Sequence, residues 1–300
     1  MMRAHHIAVT LALLLTGCAA TPVPDVARGE RLPVWFDCLR ERGEAVIGAH
    51  RAGPAPGLPE NALSTMAATL LRNGNALLEI DVRVSTDGVL FLLHDDTLDR
   101  TTEAMGTVTG RTWAELRGVR LRDNAGVITG ARIPSLADAL ALVRAQGGVA
   151  QLDVKRGVDF AAVVTAVRAA QAEDHVIIIT YRDDDALAVA RLAPELMVSA
   201  GVNAPAAAER LIAAGMRRDR LLAWTGTRAP DPALFAALRS AGIEPLFGTL
   251  GRPGERLDDR WLADGDASEF EALELDGVVV VATDRGRAVE EALGAPSCRR

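Results

Sequence analysis

From residue 45 onward, short β-branched and aliphatic runs alternate with longer stretches whose apolar positions recur at helical spacing. The strand-like runs are "AVIGAH" (45–50), "ALLEIDV" (76–82), "VLFLLH" (89–94), "VAQLDV" (149–154), "HVIIITY" (175–181), "LMVSA" (196–200), "RLLAWT" (220–225), "EPLFG" (244–248) and "DGVVVVA" (276–282). Between most of them lie helical stretches such as "ENALSTMAATLLRNG", "PSLADALALVRAQGG" and "DPALFAALRSAG". Pro134 suits a first helical turn, and Gly74, Gly215 and Gly242 suit positions just past helix ends. Alternating β and α units predict a parallel sheet covered by helices.

Nine strands is one too many for a closed parallel barrel. Only seven residues separate Asp81 from Val89, and they contain the turn signal "TDG". A parallel crossover needs about a dozen or more residues. Residues 82–94 are therefore expected to fold back on the second strand as a hairpin, which leaves eight. The expected fold is α/β, a (β/α)8 TIM barrel, with a doubly wound open sheet as the alternative. The barrel domain would span 45–294, with 95–132 an insertion after the second strand and 295–300 a tail.

The chain ahead of this pattern reads differently. Arg3 precedes an apolar run, Ile7 to Leu15, that is too short to span a bilayer but has the length and flanks of a secretory signal. "Leu15-Thr16-Gly17-Cys18" resembles the bacterial lipoprotein box. Residues 1–17 are read as a signal peptide, Cys18 as the lipidated first residue, and 18–44 as a tether and N-terminal segment. The expected location is outside the cytoplasm, lipid-anchored on the periplasmic or outer side of a bacterial membrane. In that oxidising setting Cys38 and Cys298, near the two ends of the domain, could form a disulfide. With 49% hydrophobic and 24% charged residues the remainder is ordinarily globular, and a net charge of −7 without a basic run gives no footprint for nucleic acid.

In a parallel barrel, chemistry collects at the C-terminal ends of the strands. Those ends read His50-Arg51, then Glu79-Ile80-Asp81, then His94-Asp95 after the hairpin, then Asp153-Val154-Lys155, then Tyr181. Glu79 and Asp81 are two apart on a strand, so their carboxylates face one way. Asp153 and Lys155 repeat that spacing on the neighbouring strand. Three converging carboxylates suit one hard divalent cation, Ca2+ or Mg2+. His50 and His94, on opposite sides of the cluster, can act as general base and general acid. His175 opens a strand at the far face and reads as structural. Arg51 offers a planar fork to phosphate oxygens. Lys155 is the only lysine in a chain that otherwise writes its positive charge as arginine. A compact ammonium fits between a metal-bound carboxylate and an incoming anion, where it can stabilise charge in the transition state.

These residues resemble the glycerophosphodiester phosphodiesterase family, within the phospholipase C-like phosphodiesterase superfamily. "AHRAGPAPGLPENALSTM" is similar to the family's opening motif, and "LLEIDVRVSTDGVLFLLHDDTLDRTT" to its most specific signature. "IPSLADAL", "QLDVK" and "DGVVVVATDRG" are similar to later segments. The resemblance implies hydrolysis of glycerophosphodiesters to glycerol 3-phosphate and an alcohol. It implies a divalent metal on Glu79, Asp81 and Asp153, acid/base roles for His50 and His94, and phosphate binding by Arg51 and Lys155. It also implies that the 95–132 insertion covers the glycerol end. Asp153 stands where the family usually has Glu, as in the related venom-type phospholipases D, and Ala52 displaces the family's glycine to Gly53. "AWTGT" (223–227) is similar to a late Trp-Thr motif, but the strand candidate "EPLFG" follows it, and Trp224 is given no role. Two alternatives stand beside this reading. A membrane-tethered lysophospholipase D would need an apolar groove in a largely polar insertion. A non-catalytic binding barrel would have no use for such groups at one rim.

Overall fold

The chain's computed structural model describes residues 28–300, so Cys18 and the signal-like segment lie outside the described residues. The strands are β1 (Val46–Ala49), β2 (Leu77–Val84), β3 (Leu90–Leu92), β4 (Arg120–Arg122), β5 (Ile128–Arg132), β6 (Val149–Val154), β7 (Val176–Ile179), β8 (Met197–Gly201), β9 (Leu221–Trp224), β10 (Glu244–Gly248) and β11 (Val280–Thr283). Starting at β1, the parallel strands run β2, β6, β7, β8, β9, β10, β11 and return to β1, which pairs with both β2 and β11. That double pairing closes a TIM barrel and rules out the open sheet. β3 lies antiparallel on β2, with Val82 opposite Leu92, which is the expected hairpin.

The period-two alternation of the strands sorts their side chains into two layers. On β2, Leu78, Ile80 and Val82 face outward into the core shared with the helices, as do Ala150, Leu152 and Val154 on β6. Leu77 and Val149 face inward, joined by Val46, Ile177, Met197, Leu222, Leu246 and Val280, so that every barrel strand contributes to one inner cluster. Glu79 and Asp81 continue the inward face of Leu77, and Gln151 and Asp153 that of Val149. The register sets Glu79 beside Gln151 and Asp81 beside Asp153.

The inner cluster is capped from below by a helix, Arg31–Arg42, for which no element was expected in the 18–44 segment. Leu32, Trp35, Phe36 and Leu39 are buried beneath the barrel, and each such burial contributes roughly 1.5–3 kcal/mol. Cys38 on this helix is bonded to Cys298, which ties the C-terminal segment to the same end. Ser297 and Cys298 add backbone hydrogen bonds to Glu44. The helix Arg31–Arg42 and Cys298, from segments drawn as flanks of the domain, are thus packed on its floor.

Within the insertion, β4 and β5 form a separate antiparallel ribbon. Leu98, Val108, Leu116 and Leu121 pack there with Phe91 and Leu93 into a small core of their own. Some local expectations shift. His175 closes a short 3-10 turn, where its Nδ1 lies 2.7 Å from the Gly148 carbonyl, and Tyr181 lies beyond β7. Gly215 and Gly242 follow helix ends with left-handed φ of 108° and 71°, as a C-terminal cap requires. Gly74 has no such φ, because its helix ends at an extended Asn73. Pro134 precedes the capping residue Ser135 and so lies outside the first turn. Among the described residues, no helix is long and apolar enough to cross a membrane.

Candidate active site

At the C-terminal mouth, Glu79, Asp81 and Asp153 each present an oxygen within 4.8 Å of the other two. Lys155 Nζ sits 2.6 Å from Asp81 Oδ1 and 2.5 Å from Asp153 Oδ2. Asn61 fixes Asp81 from the other side: its Nδ2 donates to Asp81 Oδ2 at 2.6 Å, and its Oδ1 accepts from the Asp81 N–H at 2.9 Å. Arg51 adopts a left-handed φ of 50°, and the turn so formed aims its N–H at Glu79 Oε2, 2.7 Å away. The next residue, Ala52, also holds a positive φ of 69°, the conformation in which glycine is at ease.

One ammonium does not balance three carboxylates. Burial, reinforced by the charges of Asp81 and Asp153, pushes Glu79 up to about 8. Burial would also raise Asp81, but Lys155 overrides it and holds that carboxyl below its usual range. Asp153 Oδ1 is buried without a hydrogen-bond partner. An all-oxygen set with an orphaned acceptor and an acid kept neutral for want of positive charge fits a hard divalent cation.

Two histidines flank the acids, and each is clasped through Nδ1. His50 Nδ1 lies 2.7 Å from Asp284 Oδ1, and Asp284 is paired in turn with Arg256 at 2.8 Å. Burial opposes protonation of His50, yet Asp284 and Glu79 together raise its pKa. His94 Nδ1 lies 2.7 Å from Asp95 Oδ1, and Arg100 grips Asp95 at 2.6 Å. Arg100 also reaches Glu60 at 2.8 Å, and Glu60 holds Arg51 Nη1 at 3.0 Å. One edge of the Arg51 guanidinium is therefore occupied, while its Nε is buried without a partner. With Nδ1 taken by a carboxylate, each imidazole keeps Nε2 for another partner.

The acids open into a central cavity of about 190 Å3 inside the barrel mouth, lined in part by Gln151, Tyr181, Ser199, Trp224 and Leu246. Gly248 makes room there: a Cβ on it would fall 2.6 Å from Trp224 Cη2.

The glycerophosphoryl diester phosphodiesterase family model matches residues 50–249. The chain belongs to that family. A glycerophosphodiester phosphodiesterase of Caldanaerobacter subterraneus is 26% identical over 52% of this chain and 65% of its own length. The rat glycerophosphodiester phosphodiesterase 1 is 33% identical over 51% of this chain and 44% of its own length. The chain thus matches less than two thirds of either relative. Among solved structures, a glycerophosphoryl diester phosphodiesterase from Parabacteroides distasonis superposes with a TM-score of 0.78 at 28% identity, over 89% of this chain and 92% of its own. An Oleispira antarctica phosphodiesterase in complex with sn-glycerol-3-phosphate shares the fold, with a TM-score of 0.66 at 23% identity over 85% and 98% of the two chains.

The residues read from strand ends in this family member do converge: His50, Arg51, Glu79, Asp81, His94, Asp153 and Lys155 all lie at one mouth. Four partners were not singled out. Glu60 and Asn61 lie in the "PEN" triplet, which was matched as a motif without being given a task. Asp284 lies just past β11, where the strand-end rule, carried on to the last strand, would have found it. Arg100 lies in the "LDRTT" run, which was likewise matched as a motif without being given a task.

Proposed function

We propose that this chain hydrolyses glycerophosphodiesters to glycerol 3-phosphate and an alcohol, using one divalent cation, Ca2+ or Mg2+, and two histidines. The observation that carries the proposal is the acid trio, two of whose members close on Lys155, flanked by two imidazoles that are each fixed through Nδ1. Glu79, Asp81 and Asp153 would hold the cation, which when bound supplies Lewis-acid polarisation of a phosphoryl oxygen. Arg51 and Lys155 orient the phosphate and oppose the charge that develops on its oxygens. One imidazole takes a proton at Nε2 from the attacking oxygen, of water or of a glycerol hydroxyl; in the second case water opens the resulting cyclic phosphate in a further step to give glycerol 3-phosphate. The other gives a proton from Nε2 to the departing alkoxide. The product-bound Oleispira protein supports the choice of glycerol 3-phosphate as the released ester.

The test is an assay of purified protein on glycerophosphocholine and glycerophosphoethanolamine, with lysophospholipids alongside, in the presence and absence of chelator. Hydrolysis of the water-soluble diesters should be lost in chelator and should fall about 1,000-fold in His50→Ala. Full activity in either condition would remove the mechanism, and preference for lysophospholipids would move the chain to phospholipase D chemistry.

The proposal extends to location. The lipobox at Cys18 supports export and lipid anchoring. The bonded pair Cys38–Cys298 belongs with an oxidising compartment. Incorporation of labelled fatty acid, lost in Cys18→Ser, is the expected result; an unlabelled, freely released protein would refute it.

A further inference from the structure

His50 faces a second recess besides the central cavity: an open cleft of about 860 Å3 between the insertion and the loops after β10 and β11. Its walls carry six arginines and four carboxylates, in a protein whose net charge is −7. The four acids are already engaged. Glu60 and Asp95 hold Arg100, Asp284 holds Arg256, and Asp123 accepts backbone N–H groups of Gly57, Ala125 and Val127. Two of the cations are not neutralised. Arg122, on the insertion, donates only to the carbonyls of Thr102 (2.7 Å) and Gly126 (3.0 Å). Arg252, on the loop after β10, is exposed and makes no side-chain hydrogen bond or ion pair among the described residues. No Phe, Tyr or Trp is among the residues that line the cleft, so they offer no aromatic cage to a quaternary ammonium group.

The two recesses differ in size as well as charge. The central one has room for a small polyol, while the open cleft accepts a larger and more variable group. We propose, resting on the phosphodiesterase reading above, that the cleft binds the alcohol portion of the diester and selects alcohols carrying an additional phosphate, gripped between Arg122 and Arg252. Guanidinium forks match phosphate oxygens in geometry as well as charge. The insertion then covers the variable end of the substrate, where the family resemblance had implied the glycerol end.

The test is calorimetric titration of the intact protein, in chelator so that binding is read apart from turnover. Three probes serve: glycerophosphoinositol 4-phosphate, glycerophosphoinositol and glycerophosphocholine. The first should bind at least about tenfold more tightly than the second, a difference of about 1.4 kcal/mol, and the third should be weakest. The advantage of the first over the second should shrink to within about threefold in Arg122→Gln/Arg252→Gln, and partly in Arg252→Gln alone, whose exposed side chain has no structural partner. Equal affinities, no binding of either inositol probe, or an advantage that survives the double variant would overturn the proposal. Failure to hydrolyse any of the three with cation present would instead overturn the phosphodiesterase reading.

Discussion

The floor and the mouth of this barrel both bury carboxylates, and they compensate them to different degrees. On the floor, Glu244 is buried against Arg40, 2.9 Å away, under a helix that closes the barrel and is stapled to the C-terminal segment. At the mouth, Glu79, Asp81 and Asp153 lie together with a single ammonium, which reaches only Asp81 and Asp153, and the buried Asp153 Oδ1 has no hydrogen-bond partner. On the floor the buried acid has the Arg40 guanidinium in direct contact, which also reaches Asp37. The mouth is left short of positive charge, a shortage that a divalent cation can relieve and that a phosphate ester alone would deepen. Paired charge in a sealed region serves structure, whereas unpaired charge held in place by secondary contacts marks chemistry.

Four experiments break or sharpen that contrast. The largest effect belongs to the floor. Cys38→Ser/Cys298→Ser should lower unfolding free energy by about 4 kcal/mol in denaturant titrations, because the bond closes a loop spanning a sequence separation of 260. Turnover at moderate temperature should be unchanged; a matching loss of turnover would mean that the two ends are coupled.

The second also concerns the floor. Burial pushes Glu244 up to about 7, against the pull of Arg40. A group whose folded pKa lies above its unfolded value contributes stability that is full below about 4.5 and is lost as pH rises through about 7. Glu244 should therefore contribute a fall of about 3 kcal/mol across that window, on top of the fall that Glu79 contributes, and Glu244→Gln should remove its share of the slope. An unchanged profile in the variant would assign the slope to another group.

The third is Lys155→Arg, which keeps the charge and enlarges the head. With carboxylate oxygens at 2.6 and 2.5 Å, a guanidinium cannot take the ammonium's place without moving Asp81 or Asp153. kcat should fall about 100-fold with little change in thermal midpoint. Near wild-type turnover would make the lone lysine an accident of composition.

The smallest effect is a displacement in pH. Asp284 is among the groups that raise the His50 pKa, against the opposing effect of burial. In Asp284→Asn the His50 ionisation seen in the pH–rate profile should move to lower pH. A rate loss without displacement would show that Asp284 only orients the ring.

Much of this was legible along the chain. The barrel followed from alternating period-two and helical spacing, and the hairpin from a gap too short for a crossover. The acids and histidines followed from reading strand ends, since a strand's inward face continues straight to its rim. The floor helix was legible in principle: Leu32, Trp35, Phe36 and Leu39 follow helical spacing, but Pro33 and the preceding Pro-containing stretch obscure the pattern. The clasps on the histidines were harder. Asp284 and His50 are 234 residues apart, and Arg100 and Glu60 are 40 apart. Such pairings depend on loop geometry that no local period encodes. The shorter Asp153 is accommodated by Lys155, two residues on, which closes onto its carboxylate; that contact needs the strand register as well as the sequence.

The floor helix also sets an orientation. The described chain enters at Arg28, beside the residues that lead into β8 and β9, on the face opposite the catalytic rim. Under the proposed lipidation of Cys18, an anchor ahead of that point would hold the molecule by its base, with the opening turned outward to the surrounding fluid. In that orientation small dissolved esters would arrive unobstructed, while a lipid still seated in the bilayer would have to travel around the whole body of the protein to be cut.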